Sequence, residues 1–468
     1  MQAATGSKSG WFRAGSPDEP HVPKAVSRSD DVAALVIVAA YSALQIALAI
    51  AHVPWLDEAQ AWLLATRLEA PLDLLILPNE GHPPLWHWLL RAISTVFEFD
   101  QARYLNAGVA IVNAWLLARL LRGETILLAM MLFSFSVVQF WGYHFRPYTL
   151  VFTCILAALL LDRDDRPVAA SWALAIACAL HFFSGLLFAF WVIWQWMKGT
   201  KITSLIAPAL FAAAFGMLAV LSALGNQTAG PESVGLFASF MHNMSWPLIL
   251  PLLRGPLAAI VVVAALVVGF RDRPALLATL LTLLVAFAFG CALVYGRSPW
   301  HASFMTMLCF VAAMVAGVTP VRRWMLILIL LPQVVIGLVA VYQRLANPIW
   351  LQDDLYALVA EDAGAGAGFD PERDLVGWPD MAIPEWAARY DIRMINGNNG
   401  RIIDAVDWTT YEPGRIDATM LERPRPYWLI CYVCERLVGP LQENGATLIE
   451  LGQKNGFDNG ESKAFRVE

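Results

Sequence analysis

Long apolar stretches separated by short polar connectors dominate the chain up to about residue 342. The first runs from Val32 to Val53, and a helix of that length can cross a bilayer. Further spans are predicted at about 102–121, 124–143, 147–161, 168–181, 183–197, 202–224, 255–270, 275–295, 302–319 and 324–342. The pattern predicts a polytopic α-helical membrane protein with about eleven spans.

Pairs of basic residues occur at every second connector between the predicted spans. The pairs are Arg119 and Arg122, Arg163 and Arg166, Lys198 and Lys201, Arg271 and Arg273, and Arg322 and Arg323. Because positive residues favour cytoplasmic connectors, this alternation predicts a cytoplasmic N-terminus and an extracytoplasmic C-terminus. If the segment 84–97 crossed the membrane, every basic pair would fall on the extracytoplasmic side. We therefore interpret it as a helix lying in the outer interface.

The polar ends of the chain differ from the apolar middle. Residues 1–30 lack an apolar period and are predicted to be a disordered cytoplasmic tail. Residues 31–343 form the membrane domain, whose first outer loop, 54–100, holds interfacial helices. Residues 344–468 have soluble composition, with strands predicted at 425–431 and 447–451 around a helix at 435–444, which indicates a small α/β domain outside the membrane.

Composition supports the membrane class, because 58% of the 468 residues are hydrophobic and only 15% are charged. A cleaved signal peptide is an alternative for the first stretch, since Ala49-Ile50-Ala51 resembles a cleavage site. The apolar run is long for a signal core, which favours an uncleaved anchor. In the tail, Cys431 and Cys434 are spaced as C-x-x-C and could form an inert structural disulfide or a redox pair.

Polar residues that interrupt the apolar pattern fall at the predicted outer ends of helices. They are Asp57, Glu58, Glu80, His82, His144, Arg146, Tyr148, His181, Arg297 and His301. Charge at a membrane end is costly unless it faces water, a cavity or a partner. We therefore predict a cavity that opens outward and is lined by these side chains.

The first loop carries two of the candidate motifs. Asp57-Glu58 could supply a general base or ligands for a hard divalent ion, and Asp57 could equally be the N-cap of a helix. In Glu80-Gly-His82-Pro-Pro, His82 could face an anion or a metal with Glu80 beside it, although the prolines alone could explain the motif as a helix start. A divalent cation stays open, with Asp57, Glu80 and His82 as its candidate ligands.

Three later elements supply candidate cations and hydrogen-bond donors. Arg146, followed by Pro147 and Tyr148, suits a phosphate, because guanidinium binds phosphate oxygens in a bidentate way. Arg297, near His301, could supply a second cation. The alternative role for both arginines is structural: each could lie in the aromatic belt at the membrane interface and extend its charged end to the water. His181 interrupts an apolar stretch and could be a site residue or a packing residue at a hinge.

The Asp-Glu pair after the first span, then His-Pro-Pro-Leu-Trp, then Arg-Pro-Tyr-Thr-Leu, resembles the GT-C glycosyltransferases over roughly residues 30–340. More narrowly it is similar to the protein-mannosyltransferase and aminoarabinose-transferase-like branch. The resemblance implies Asp57, with Glu58, as the base or a metal ligand. It places Glu80 and His82 at the donor phosphate or metal, and Arg146 near the phosphate. His144 stands where many relatives carry a carboxylate or amide, which puts a role for that position in doubt.

The resemblance implies an enzyme of the inner (plasma) membrane that moves a sugar from a polyprenyl-phosphate donor to a hydroxyl of a lipid, glycan or protein acceptor. From the chemistry of such a donor we expect an inverting single displacement on the periplasmic side. The implied partners are the donor, the acceptor and the bilayer, with no nucleic acid. Three alternatives remain open: a ligase or polymerase using a polyprenyl diphosphate, a lipid-glycan transporter without chemistry, and an inactive scaffold.

Overall fold

The computed structural model describes residues 27–52, 56–77, 80–223, 235–248, 255–346, 352–364, 368–380, 383–406, 415–455 and 461–468. The predicted N-terminal tail lies outside the described residues up to position 26. Within the described ranges the chain is mostly helical and ends in a small sheet, as the apolar pattern and the soluble tail predict.

In its described residues, the first half of the membrane domain has nine α-helices, α1–α9, and two short turns of 3-10 or π-helical geometry. The helices are Arg28–Ala51, Leu56–Arg67, Pro84–Ile93, Phe99–Ala102, Tyr104–Leu120, Thr125–Leu132, Tyr148–Arg163, Pro167–Leu180 and Ser184–Met197. A 3-10 turn, Pro71–Leu75, precedes α3, and a π-helical turn, Ser136–Phe140, follows α6. Helix α3 has ten residues, which is about 15 Å and too short to cross a bilayer.

The second half of the membrane domain begins with a 3-10 turn, Ile202–Leu205, that leads into the next helix. Helices α10–α15 are Ile206–Ala223, Leu236–Ser245, Pro256–Phe270, Pro274–Val294, Pro299–Ala316 and Pro320–Ala346. Several of these helices start on proline, which lacks the N–H that a first turn leaves unpaired and has its φ preset for the helix.

Five helices of the described chain are long and apolar enough to cross a membrane, fewer than the eleven spans predicted. They are Arg28–Ala51, Ile202–Ala223, Pro274–Val294, Pro299–Ala316 and Pro320–Ala346. Shorter apolar helices occupy Pro167–Leu180, Ser184–Met197 and Pro256–Phe270. The difference arises because several predicted spans hold shorter helices. Those on either side of His181, α8 and α9, have 14 residues each, and the predicted span 124–143 divides into α6 and the π-helical turn.

Burial separates the inner helices from those that face outward. In α14, 67% of the apolar stretch is buried inside the protein, against 22% for the stretch Ile202–Ala223. Helix α7 is also central, since it packs against α5, α8 and α14. Outward faces carry exposed Leu210, Met217 and Trp324. Such apolar faces fit a lipid environment.

The C-terminal domain holds one six-stranded mixed sheet in the order β3-β2-β1-β4-β6-β5. The strands β1–β6 are Leu375–Trp378, Met394–Asn396, Ile402–Ile403, Tyr427–Tyr432, Leu448–Asn455 and Glu461–Val467. Strand β1 runs parallel to β2 and β4, and the other pairs are antiparallel. The prediction of a small α/β domain is confirmed in its sheet.

Helices α16–α20 of this domain are Gln352–Asp362, Pro371–Asp374, Ile383–Tyr390, Ala418–Leu421 and Glu435–Glu443. Cys431 at the end of β4 and Cys434 before α20 form a disulfide. Both sulfur-bearing residues are buried, with exposed fractions of 1% and 2%. Burial favours the structural alternative over the redox one, since thiol exchange needs access to a sulfur.

Candidate functional site

Asp57 and Arg146 form an ion pair between α2 and the loop that precedes α7. Asp57 lies in the first turn of α2, and its side chain is 36% exposed. Arg146 is buried and lies over the rings of Tyr148 and Trp300 at 5.6 and 5.9 Å. Burial opposes the charge of Arg146, but the Asp57 carboxylate outweighs that effect and raises the pKa of Arg146 above its ordinary value.

The ion pair forms part of the wall of a cavity of about 340 Å³, a volume that includes its part open to solvent. Its lining consists of Asp57, Gln60, Ala61, Glu80, His82, Trp86, His87, Arg146 and Pro147. The structure thus brings together the first-loop acid, the Glu-Gly-His motif and the later arginine, which are far apart in the chain. Their chemical roles remain predictions.

His82 has its tautomer set by the local backbone. Its Nδ1 lies 2.8 Å from the carbonyl oxygen of Glu80, to which it donates when neutral. Burial, with Arg146 nearby, lowers the pKa of His82 to about 4, so the ring is neutral at pH 7. The Nε2 atom then carries a lone pair, which can accept a proton or bind a cation but cannot donate to a phosphate.

Three further histidines extend from His82 into the protein. Ring centroids lie 6.5 Å apart for His82 and His87, 5.6 Å for His82 and His181, and 6.2 Å for His181 and His301. In the described part of the chain, Nε2 of His181 and Nδ1 of His301 are buried without a hydrogen-bond partner. His181 and His301 do not line the cavity but lie behind it, as does Tyr148, whose ring is 4.8 Å from that of His181.

Glu58 does not line the cavity, which departs from its predicted role beside Asp57. Its carboxylate lies 2.7 Å from Nε2 of His52, 2.5 Å from the N–H of Phe145 and 3.5 Å from Nδ1 of His144. Burial would raise the pKa of Glu58, but His52 and His144 hold it well below its usual range. Consecutive helical residues point about 100° apart, so α2 directs Glu58 away from Asp57.

Arg297 also lies outside the lining, contrary to its predicted place at a donor phosphate. It is exposed in the turn between α13 and α14. His144 is buried, and its Nδ1 faces Glu58 rather than the cavity. A sequence pattern assigns both residues to the outer end of the helices but cannot tell which way a side chain turns there.

The metal candidates Asp57, Glu80 and His82 share the cavity but do not form a close three-ligand cluster. Within the described ranges, the group whose ligand atoms all lie within 4.8 Å of one another is His52, Glu58 and His144. Glu58 in that group already accepts from the Phe145 N–H. In the cavity itself, the carboxylate of Glu80 and the Nε2 lone pair of His82 are the groups that fit a cation.

Sequence reasoning missed Gln60 and Trp86 in the lining and His52 beside Glu58. A usable signal exists for Gln60, because positions i and i+3 share a helix face and Gln60 follows Asp57 by three residues. Gln60 donates to Glu80 Oε1 at 3.0 Å and to the carbonyl of Val406 at 2.9 Å. The contact with Val406 joins residues 346 positions apart and carries no local sequence signal.

Comparison with known proteins adds no assignment to this geometry. No family model, no curated protein and no solved structure matches the chain. The side chains of the cavity and the apolar helices of the chain are therefore the features that bear on function.

Proposed function

We propose that the protein is a membrane glycosyltransferase of the GT-C type. It would transfer a sugar from a polyprenyl-phosphate donor to a hydroxyl of a lipid, glycan or protein acceptor. The observation that carries the proposal is the Asp57–Arg146 ion pair in a cavity at the end of apolar helices. A lipid-borne sugar phosphate needs a cation for the phosphate and a base for the acceptor, and Arg146 and Asp57 in this cavity are the candidates for these two roles.

In the proposed reaction the acceptor oxygen forms a bond to the anomeric carbon while the bond from that carbon to the phosphate oxygen breaks. Asp57 takes the acceptor proton, and Arg146 neutralises the departing polyprenyl phosphate. Attack from the face opposite the phosphate inverts the configuration. An oxocarbenium-like transition state also gains from a nearby carboxylate.

The ion pair suggests an order of events in this reaction. The Asp57 carboxylate oxygen that faces Arg146 is occupied by that contact. A donor phosphate would compete with Asp57 for Arg146 and so release the carboxylate for the acceptor proton. Asp57 would thus be available to the acceptor only when the donor is bound.

The cation content of the cavity favours a monophosphate donor over a diphosphate. Arg146 is the one permanently charged cation among the lining residues that the structure describes. His82 is neutral and presents a lone pair, so it suits a divalent ion held with Glu80 better than a phosphate oxygen. Such an ion, if bound by Glu80 and His82, would supply further positive charge next to the phosphate.

We infer about eleven spans, an N-terminus in the cytoplasm, and a cavity and C-terminal domain in the periplasm. Helix α7 supports this orientation, because it runs from the cavity at its start to a basic connector at its end. Arg146 precedes its first residue, and Arg163, near its last, lies beside the carbonyl oxygens of Arg119 and Leu120. The basic connectors that hold Arg119 and Arg163 therefore lie a helix length of about 24 Å from the cavity.

Mass spectrometry of envelope glycans and polyprenyl lipids tests the proposal. A deletion strain should lack one sugar substituent and accumulate the matching polyprenyl-phosphate sugar, and a plasmid copy should reverse both changes. If the protein were a transporter, the deletion strain would still make the glycosylated product, but on the cytoplasmic face of the membrane. Unchanged glycans together with unchanged polyprenyl lipids would refute the enzyme assignment.

A further inference from the structure

Gln60 connects the candidate active site to the C-terminal domain through a single side chain. Its amide pairs with the backbone of Val406 in both directions: Nε2 donates to the carbonyl at 2.9 Å, and Oε1 accepts from the N–H at 2.8 Å. The second proton of Nε2 points to Glu80 Oε1, 3.0 Å away. Gln60 is 2% exposed and lines the cavity between Asp57 and Glu80.

The C-terminal domain also packs against α2, the helix that carries Asp57. Helix α18 packs along α2, and Ala388 contacts the apolar cluster that includes Trp62, Phe99 and Phe145. The buried guanidinium of Arg389 lies 3.2 Å from Asp100, which belongs to the first outer loop. At the end of α2, Arg67 pairs with Asp391 at 2.6 Å. The docked domain therefore contacts α2 at its start, along its length and at its end.

We propose that the C-terminal domain supports the cavity wall from behind, through its contacts with α2, and that Gln60 is a positioning residue that couples the docking of this domain to the placement of Glu80. The chemistry of the side chain supports this role. Only an amide offers two donors and an acceptor on one planar group, so glutamate cannot donate to Glu80 or to the Val406 carbonyl. The proposal rests on the proposed function only in calling the cavity catalytic.

Hydrogen exchange of the full chain in nanodiscs tests the coupling. Gln60→Met keeps the volume but removes all three hydrogen bonds, so amides in residues 80–87 and in 401–406 should both exchange about fivefold faster. Thr66→Ala is the matched control on α2, because the Thr66 hydroxyl donates only to carbonyls of its own helix, those of Trp62 and Leu63. Faster exchange on one side alone, or on neither, would overturn the proposal.

A second pair of variants approaches the coupling from the domain side. Arg67→Ala and Asp100→Asn weaken docking, and neither residue lines the cavity. Combined, they should speed exchange in residues 80–87 as well as in α18. Exchange that rises in α18 while residues 80–87 stay unchanged would show that docking and the cavity are independent, and would refute the inference.

Charge distinguishes a positioning role from a merely structural one. Gln60→Glu keeps an acceptor for the Val406 N–H but sets a carboxylate against Glu80. Gln60→Glu should speed amide exchange in residues 80–87 more than in 401–406, whereas Gln60→Met should speed exchange equally in both segments. An equal effect of both variants on the two segments would assign Gln60 a packing role only and overturn the proposal.

Farnesyl phosphate, a short polyprenyl phosphate, separates this inference from the proposed function. Bound to the unaltered protein, it should slow exchange in residues 80–87 and 144–148, and its affinity should fall several-fold in Gln60→Met. If it protects neither segment of the unaltered protein, the proposed donor class is wrong, while the exchange data without ligand still decide the coupling. Protection with an affinity unchanged by Gln60→Met would show that Gln60 does not position the site.

Discussion

Asp57 and Arg146 form an ion pair although 89 residues separate them in the chain. One belongs to the helix that follows the first apolar span, and the other to the loop that leads into α7. The pair fixes the relation between these two segments at the cavity and places a carboxylate and a guanidinium within reach of one bound molecule.

Arg146→Lys should lower sugar transfer about a hundredfold. Lysine keeps the charge but not the planar fork that binds phosphate in a bidentate way, and it stacks less well over Tyr148 and Trp300. The measurement is the rate of product formation in membranes, normalised to protein amount. Arg297→Lys is the matched control, since Arg297 is exposed outside the cavity lining and should be tolerated. Equal losses in both variants would contradict this role for Arg146.

Glu58→Gln should lower stability rather than change the chemistry directly. The carboxylate accepts from the Phe145 N–H and pairs with His52, and an amide can accept on one atom only. We expect a loss of about 1–3 kcal/mol in the free energy of unfolding. Thermal unfolding, followed by fluorescence in detergent, measures this loss. Asp57→Asn serves for comparison, since the Asp57 carboxylate is partly exposed whereas that of Glu58 is buried. A stability equal to that of the unaltered protein would mean that the Glu58 cluster contributes little.

Stability should fall as the pH drops from about 6.5 towards 4. Burial lowers the pKa of His82 to about 4 and that of His87 to about 3, so both rings stay neutral in the folded protein. The unfolded chain takes up these protons near pH 6.5, binds more of them below that pH and is favoured there. Melting temperatures across this range should fall less steeply in His87→Gln. An unchanged slope would show that His87 is not neutral in the folded protein.

Gly142→Ala should destabilise the loop that carries Arg146. A Cβ built at Gly142 would meet the amide oxygen of Gln45, whose buried side chain has no hydrogen-bond partner among the described residues. We expect a cost of about 1–3 kcal/mol. Gln45→Ala removes the side chain that clashes. The loss of stability caused by Gly142→Ala should therefore be smaller in the Gln45→Ala background than in the unaltered protein. A purely additive double variant would show that the two residues do not press on each other.

Sequence reasoning predicts the helical membrane class, the small C-terminal sheet and the group of residues that meet at the cavity. These features follow from apolar length, period and the charge at helix ends. It fails on the direction of side chains: Glu58 turns away from Asp57, and Arg297 stays outside the cavity. It also predicts more membrane-crossing helices than the five in the described ranges that are long and apolar enough, because helices such as α6 and α8 are shorter than the apolar stretches around them suggest. Tertiary contacts such as Gln60 with Val406 leave no local pattern to detect.

The most direct test of the account is Asp57→Asn compared with Asp73→Asn in a deletion strain. Asp73 is an exposed carboxylate in the 3-10 turn after α2 and does not line the cavity, so the pair isolates the effect of position. Lipid and glycan mass spectrometry should show that Asp57→Asn accumulates the polyprenyl-phosphate sugar and forms no product, while Asp73→Asn restores the product. Near-normal product in cells carrying Asp57→Asn would contradict the proposal that Asp57 is the base.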